Sequence, residues 1–192
     1  MRVIAGSAKG RTLDAPRDGA TRPATDRIRE SLFAILEPVL GDARVLDLFA
    51  GAGTLGIEAL SRGAASVTFV ERSAEALKAL RKNIATTHFD DRAEVVSANV
   101  LGFLEQIAGS YDVVFCDPPF ADVGIAEETL GHDGLRSAVA PDGLVIARAH
   151  GKHLPAVPAS VRIVRVKEIG EEKLLFLRYG PARRRPDGEA DE

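Results

Sequence analysis

Asp117-Pro118-Pro119-Phe120 is the segment whose residue types most directly suggest chemistry. Two prolines fix the backbone and remove two N–H donors. What remains is acceptor-rich, the Asp117 carboxylate and the Pro118 carbonyl, with an aromatic face beside them. This set suits a planar substrate bearing an exocyclic amine. The acceptors take its N–H bonds and localise the nitrogen lone pair toward an incoming methyl group, while Phe120 stacks on the ring. The plainer reading is a rigid loop with a capping Asp. A second cluster runs from Asp47 to Gly56, with G-x-G-x-x-G at Gly51, Gly53 and Gly56. Glycines let a backbone approach a ligand closely, but several cofactors use this spacing, and a tight turn with nothing bound also produces it. Asp47 narrows the choice. An acid just before the glycines repels a pyrophosphate and suits a cation such as the ammonium of a methionine moiety, which favours S-adenosylmethionine over NAD. Glu71, 24 residues further on, can accept both hydroxyl hydrogens of a ribose, or it is a surface acid at a strand end. Asn99 can bond an adenine edge. Phe49 and Arg72 complete the candidate cofactor-binding set.

Other chemistry finds little support. His88, His132, His150 and His153 show no metal-ligand spacing, and no metal is expected. Cys116, inside a predicted strand, reads as a buried small apolar residue rather than a nucleophile. Ser31 and Ser61 lack the partners of a triad.

Elements must place these residues on one edge. Residues 2–5 and 11–13 flank a glycine-containing turn and predict a short hairpin. A loop over 14–24 follows, and Thr25 or Asp26 can cap the next helix. Its apolar face is Ile28, Leu32, Ile35, Leu36 and Val39; Arg27, Arg29 and Glu30 lie off that stripe, and Pro38 and Gly41 end it. From residue 44 strands and helices alternate. Strands are predicted at 44–49, 67–71, 93–97, 111–116 and 143–149. Helices are predicted from the glycine turn to Gly63, then at 73–86, 100–108 and 124–139. The 73–86 helix buries Ala76, Leu77, Leu80 and Ile84. Residues 161–169 and 173–179 form an antiparallel hairpin around Gly170. The alternation predicts a parallel sheet with helices on both faces, and the asparagine and acids named above fall after strands, where such sheets bind ligands. Residues 181–192 read as disordered.

The chain has 192 residues and a net charge of −3, enough for one domain with a useful core. The distribution of charge says more than the total. Residues 1–29 carry seven basic side chains against three acidic ones, or +4, leaving −7 for the rest. A basic arm on an acidic body points to a polyanionic partner. One cysteine excludes an internal disulfide. No signal-peptide pattern and no apolar run near ~18 residues is present, so a soluble, cytoplasmic protein with no membrane partner is expected.

Several stretches together resemble the RsmD family of 16S rRNA guanine-N2 methyltransferases. They are Arg2-Val3-Ile4-Ala5-Gly6, Lys9-Gly10-Arg11, residues 22–33 (RPATDRIRESLF), 46–53, 56–64 and Asp117-Pro118-Pro119-Phe120. The likeness runs from about residue 2 to 179, and the RPxTDRxRExLF stretch with the basic hairpin is its specific part. It implies a Rossmann-like α/β fold of the class I methyltransferases. The sheet would be mostly parallel and seven-stranded, with an antiparallel C-terminal hairpin and an N-terminal β-hairpin extension. It implies residues 1–24 as a basic extension, 25–180 as the methyltransferase domain and 181–192 as a tail. It also implies methylation of one guanine of 16S rRNA, within the small subunit or a late assembly particle, by S-adenosylmethionine, with S-adenosylhomocysteine as product. Asn99 stands where the family more often has an acid, and Ala24 where it often has Thr.

The composition of the arm agrees: Arg2, Lys9, Arg11, Arg22, Arg27 and Arg29 suit phosphate contacts, though Arg27 and Arg29 can instead pair with Asp26 or Glu30. The expected reaction is in-line transfer to a base splayed out of its stack, resting mainly on proximity and orientation. A monomer acting on RNA, not DNA, is expected. An adenine-N6 DNA methyltransferase is the nearest alternative, disfavoured because no target-recognition domain fits. A nicotinamide oxidoreductase is opposed by Asp47 and the closing hairpin. A non-catalytic RNA-binding protein on the same fold is opposed by the intact Asp-Pro-Pro-Phe.

Overall fold

The computed structural model describes residues 1–15, 24–119, 123–151 and 154–180. Arg22, Phe120, His153, most of the 14–24 loop and the 181–192 tail lie outside the described residues. Thirteen elements follow in chain order: α1 (Asp26–Leu40), β1 (Arg44–Leu48), α2 (Thr54–Ser61), β2 (Ser66–Glu71), α3 (Ala74–Thr87), β3 (Ala93–Ser97), α4 (Val100–Leu104), β4 (Tyr111–Cys116), α5 (Val123–Gly131), α6 (Asp133–Ala138), β5 (Val139–His150), β6 (Val161–Ile169) and β7 (Glu172–Tyr179). The strands make one sheet in the order β3-β2-β1-β4-β5-β7-β6. The first five pair in parallel, and β7 enters antiparallel between β5 and β6. The order reverses between β1 and β4, so the crevice at their carboxyl ends is the natural ligand position. This is the mostly parallel seven-stranded sheet that the family resemblance implies, with the strand–helix alternation and closing antiparallel hairpin that the residue pattern predicts.

The sheet separates two apolar layers. One contains Phe33, Leu36, Val45, Ile57, Phe69, Phe115 and Phe176, covered by α1, α2 and α3. The other contains Leu46, Leu48, Val70, Val114, Leu130, Leu135 and Leu175, covered by α4, α5 and α6. Both faces of β1 and β4 are therefore buried, which explains their continuous apolar sequences. Among the described residues no helix is long and apolar enough to cross a membrane.

Thr25 caps α1, its Oγ1 accepting from the Ile28 N–H. The helix differs from the expectation in three ways. It continues through Pro38 to Leu40, because Pro38 is exposed and loses only its own N–H bond near the end. Its buried stripe is Ile28, Leu32, Phe33, Leu36 and Leu40, while Val39 faces solvent. Arg29, placed off the stripe by its charge, is fully buried. The predicted 124–139 helix is two helices, since His132 Nδ1 accepts from the Gly134 N–H and caps α6. Helix α4 stops at Leu104, and β5 begins earlier than predicted, at Val139.

The first residues form a short arm: the Val3 N–H donates to the Arg11 carbonyl, Gly10 N–H to Val3, and Leu13 N–H to Met1, around a bridge between Arg2 and Thr12. The arm is clamped to α2. Glu58 accepts the Ile4 and Ala5 N–H groups at 2.8 and 3.0 Å, and Ser61 Oγ accepts that of Ala8 at 2.9 Å. A Cβ on Gly6 would lie 1.8 Å from the Ser61 carbonyl oxygen, so only glycine permits this approach. Asn83, buried on α3, accepts the Asp14 N–H and donates to the carbonyls of Asp14 and Ala52, joining the arm to the glycine loop.

Candidate active site

The turn after β1 is shaped by its side-chain and backbone demands together. Phe49, Gly51 and Gly53 all adopt positive φ. The three glycines are needed for different reasons. A Cβ on Gly53 would lie 2.3 Å from Leu80 Cδ1, and one on Gly56 2.2 Å from the Phe69 ring, so these two let α2 close onto the sheet and α3. A Cβ on Gly51 would meet nothing within 4 Å. Gly51 therefore borders open space, where a ligand can lie against bare backbone.

Two carboxylates hold the loop. Asp47 Oδ2 accepts the Gly56 N–H at 3.0 Å at the start of α2. Glu71, at the end of β2, accepts the Gly51 N–H with Oε2 and the Arg72 and Ser73 N–H groups with Oε1, each at 2.8 Å. A carboxylate offers about four acceptor directions, so Glu71 keeps capacity for a hydroxyl donor. Asp47 is fully buried. Burial pushes its pKa up to about 8, the Gly56 bond opposes this, and the charges of Asp117 and Glu71 add to the rise. Among the described residues no cation pairs with it. A positively charged group at this position would relieve that energetic debt.

Asp117 follows β4 directly. Its Oδ1 accepts from Arg148 Nε at 2.7 Å, and Arg148 Nη1 donates to Glu172 Oε2 at 3.1 Å. Burial raises the Asp117 pKa, Arg148 lowers it by charge and hydrogen bond, and Glu172 raises it. Pro118 is buried and Pro119 exposed. Arg148 and Glu172 were not singled out from the sequence. The available signal was an arginine inside the apolar run Leu144–Ala149, at the carboxyl end of a parallel strand. Cys116 is buried, and burial with the Asp117 charge pushes its thiol far above the ordinary range, which fits an inert residue.

The remaining candidates divide. Asn99 is exposed and caps α4, its Oδ1 accepting the Leu101 N–H at 3.0 Å, so its amide nitrogen is the group left to meet a base. Arg72 is exposed. Arg2, Lys9, Arg11 and Arg27 are exposed on the arm and on α1; Arg2 lies 3.7 Å from Asp26, and Arg11 donates to the Thr86 carbonyl. Arg29 differs from them. It donates to the Arg2 carbonyl and to Asp26, and lies 3.7 Å from the buried Glu58, which also pairs with Arg62 at 2.8 Å. A fully buried guanidinium has no surface to offer a phosphate, so Arg29 is a rivet between arm, α1 and α2. Among the described residues no cluster could hold a metal ion. A cleft of about 330 Å³ lined by Val39, Asp42, Asp112 and Asp142 opens at the opposite, amino-terminal edge of the sheet.

The chain is similar to known proteins over nearly its whole length. A family model described as "Conserved hypothetical protein 95" matches residues 1–178. The ribosomal RNA small subunit methyltransferase D of Escherichia coli K12 is 39% identical over 192 residues, which is 100% of this chain and 93% of that protein. The protein of the same name from Haemophilus influenzae is 35% identical over 173 residues, covering 88% of this chain and 89% of that one. A solved structure described as a putative methyltransferase from Escherichia coli superposes with a TM-score of 0.82 at 38% identity, covering 94% of this chain and 99% of that one.

Proposed function

The chain belongs to the family described as conserved hypothetical protein 95, the RsmD family, with a class I methyltransferase fold, and from this we propose that it is an S-adenosylmethionine-dependent rRNA methyltransferase. We infer further that it methylates the N2 amine of one guanine in 16S rRNA, within the small subunit or a late assembly particle. The observation that carries the reading is a buried Asp47 with no cation paired to it among the described residues, near enough to feel the charge of Asp117, in a loop whose Gly51 backbone is open to a ligand. The names of the full-length relatives support the rRNA substrate.

When bound, S-adenosylmethionine supplies an electrophilic methyl group on a sulfonium. Asp47 holds the positive charge of its methionine portion, Glu71 takes the ribose hydroxyls, the bare backbone at Gly51 accepts close approach, and the amide of Asn99 meets the adenine edge. Phe49 and Arg72 flank that cradle. Asp117 and the Pro118 carbonyl accept N–H bonds from the target amine, which aims the nitrogen lone pair. Guanine carries its N1–H donor beside the N2 amine, and this matches a segment whose two prolines leave acceptors. Adenine instead flanks its N6 amine with acceptors. Phe120 stacks on the base. No residue need form a covalent intermediate, so the acceleration rests on orientation and proximity.

Residues 1–24 serve as the RNA-binding extension of a monomeric, cytoplasmic enzyme whose catalytic part is 25–180. Arg2, Lys9, Arg11, Arg22 and Arg27 meet phosphates. The test pairs two readouts on purified protein: methyl transfer to small subunits from cells lacking the enzyme, and cofactor binding by calorimetry. Asp117→Ala is expected to abolish transfer and keep cofactor binding. Transfer at the parental rate in that variant would contradict the assignment.

A further inference from the structure

Arg148 is the charged residue that strand register places against the proposed acceptor. Cys116 lies opposite Ala147 across β4 and β5, so the next residues, Asp117 and Arg148, meet where β4 ends. Across β5 and β7, His150 lies opposite Glu172 and Arg148 opposite Leu174, which brings Glu172 to the other side of the guanidinium. The three side chains are 15%, 8% and 16% exposed for Asp117, Arg148 and Glu172, so solvent screens them little. Resting on the methyltransferase reading above, we propose that Arg148 is a positioning residue for the transfer. It takes Oδ1 of Asp117, fixes the carboxylate plane and leaves Oδ2 as the acceptor for the target amine, while Glu172 fixes the guanidinium.

The chemistry requires such a device. A carboxyl that carries a proton presents a donor on one oxygen and loses acceptor strength, and an unanchored carboxylate rotates between two equivalent settings. Among the described residues four groups face Asp117: Asp47 from β1, Arg148 from β5, Glu172 from β7 and the Cys116 thiol on its own strand. Of these four, Arg148 is the cation. Burial favours the protonated form of Asp117, and Arg148 is the group that opposes it by charge and by a directed bond. The N–H fork of arginine binds two carboxylates at once at fixed angles, which a lysine ammonium does not reproduce.

The test is the pH dependence of kcat/KM for RNA at saturating cofactor, where Asp47 already faces its cation. It compares the parent with Arg148→Met, Arg148→Lys and Glu172→Gln. Activity needs ionised Asp117, so the acid limb marks its titration. Arg148→Met is expected to move that limb to higher pH, with a loss of about tenfold or more near pH 6 that narrows as the pH rises. Glu172→Gln is expected to move it to lower pH, and Arg148→Lys to recover part of the loss. Carbon NMR titration of the Asp117 carboxyl, assigned through Asp117→Asn, is expected to move in the same directions without any turnover. Uniformly lowered rates with unmoved acid limbs and an unmoved carboxyl titration would reduce Arg148 to a brace between strands. If Arg148→Met fails to fold, the opposed shifts of Glu172→Gln and Arg148→Lys still decide. A parent protein that transfers no methyl to RNA would overturn the functional reading, and the carboxyl titration would then judge Arg148 separately.

Discussion

Asp47 and Asp117 share a buried, acid-rich edge but answer to different partners. Asp117 has Arg148; Asp47 has one backbone N–H and two neighbouring negative charges. The native Asp47 carboxyl therefore titrates near 8, above its ordinary 3.8, and the native state holds this proton more tightly than the unfolded chain does. The resulting stability is full below about pH 4 and is lost as the pH rises toward about 8. Asp47→Asn keeps the buried polar group without the charge. Thermal unfolding should show it melting above the parent at pH 9 and level with it near pH 4, and calorimetry should show cofactor binding lost. In the parent, cofactor binding near pH 7 should release a proton, seen as a dependence of the binding heat on buffer ionisation enthalpy. At this scale Asp47 and Asp117 were legible through the glycines and prolines that follow them, and Glu71 through its place at the end of a predicted strand. Arg148 and Glu172 escaped notice because their partners are set by strand register. The pairing of Arg29 with Asp26 agrees with the alternative open in the sequence, but its burial was not legible, because periodicity treats every charge as solvent-facing and Glu58 meets it from α2.

The glycine loop and the arm are the elements on which the site depends. Gly53 is closed over by Leu80 and Gly51 is open. Gly53→Ala should therefore lower stability, by about 1–3 kcal/mol in denaturant unfolding, through overpacking. Gly51→Ala should weaken cofactor binding in calorimetry by more than the ~1–2 kcal/mol its positive φ costs the fold. Equal effects of the two substitutions on cofactor affinity would contradict this division. Arg29→Ala removes the bonds to the Arg2 carbonyl and Asp26 and leaves Glu58 with Arg62 and the Ile4 and Ala5 N–H groups, and should cost about 1–3 kcal/mol in denaturant unfolding. Element order was readable except over 124–139, where one predicted helix is α5 and α6, since caps, glycines and period changes mark most boundaries. Boundaries failed where tertiary contact overrode a local signal. Pro38 stays helical on an exposed flank, and His132 breaks a helix by capping the next one.

The whole molecule joins a basic arm to an acidic body, and the arm is bonded to α2 and to Asn83, which also holds the glycine loop through Ala52. Substrate phosphates and cofactor thus meet parts of one connected frame. Charge reversal at the exposed Lys9 and Arg27 should weaken RNA binding across sequences and reduce its salt dependence by about one unit of slope per lost phosphate contact, leaving cofactor affinity unchanged. The arm's charge was legible in the sequence; its docking was not, because Gly6, Ser61 and Asn83 reveal their purpose only when α2 and α3 are in place. The most direct test of the account is the identity of the methylated nucleoside. The protein is incubated with labelled S-adenosylmethionine and small subunits from cells lacking the enzyme, and the rRNA is digested to nucleosides. The account expects label on N2-methylguanosine from 16S rRNA. Label on adenosine, or transfer to added DNA alone, would contradict it.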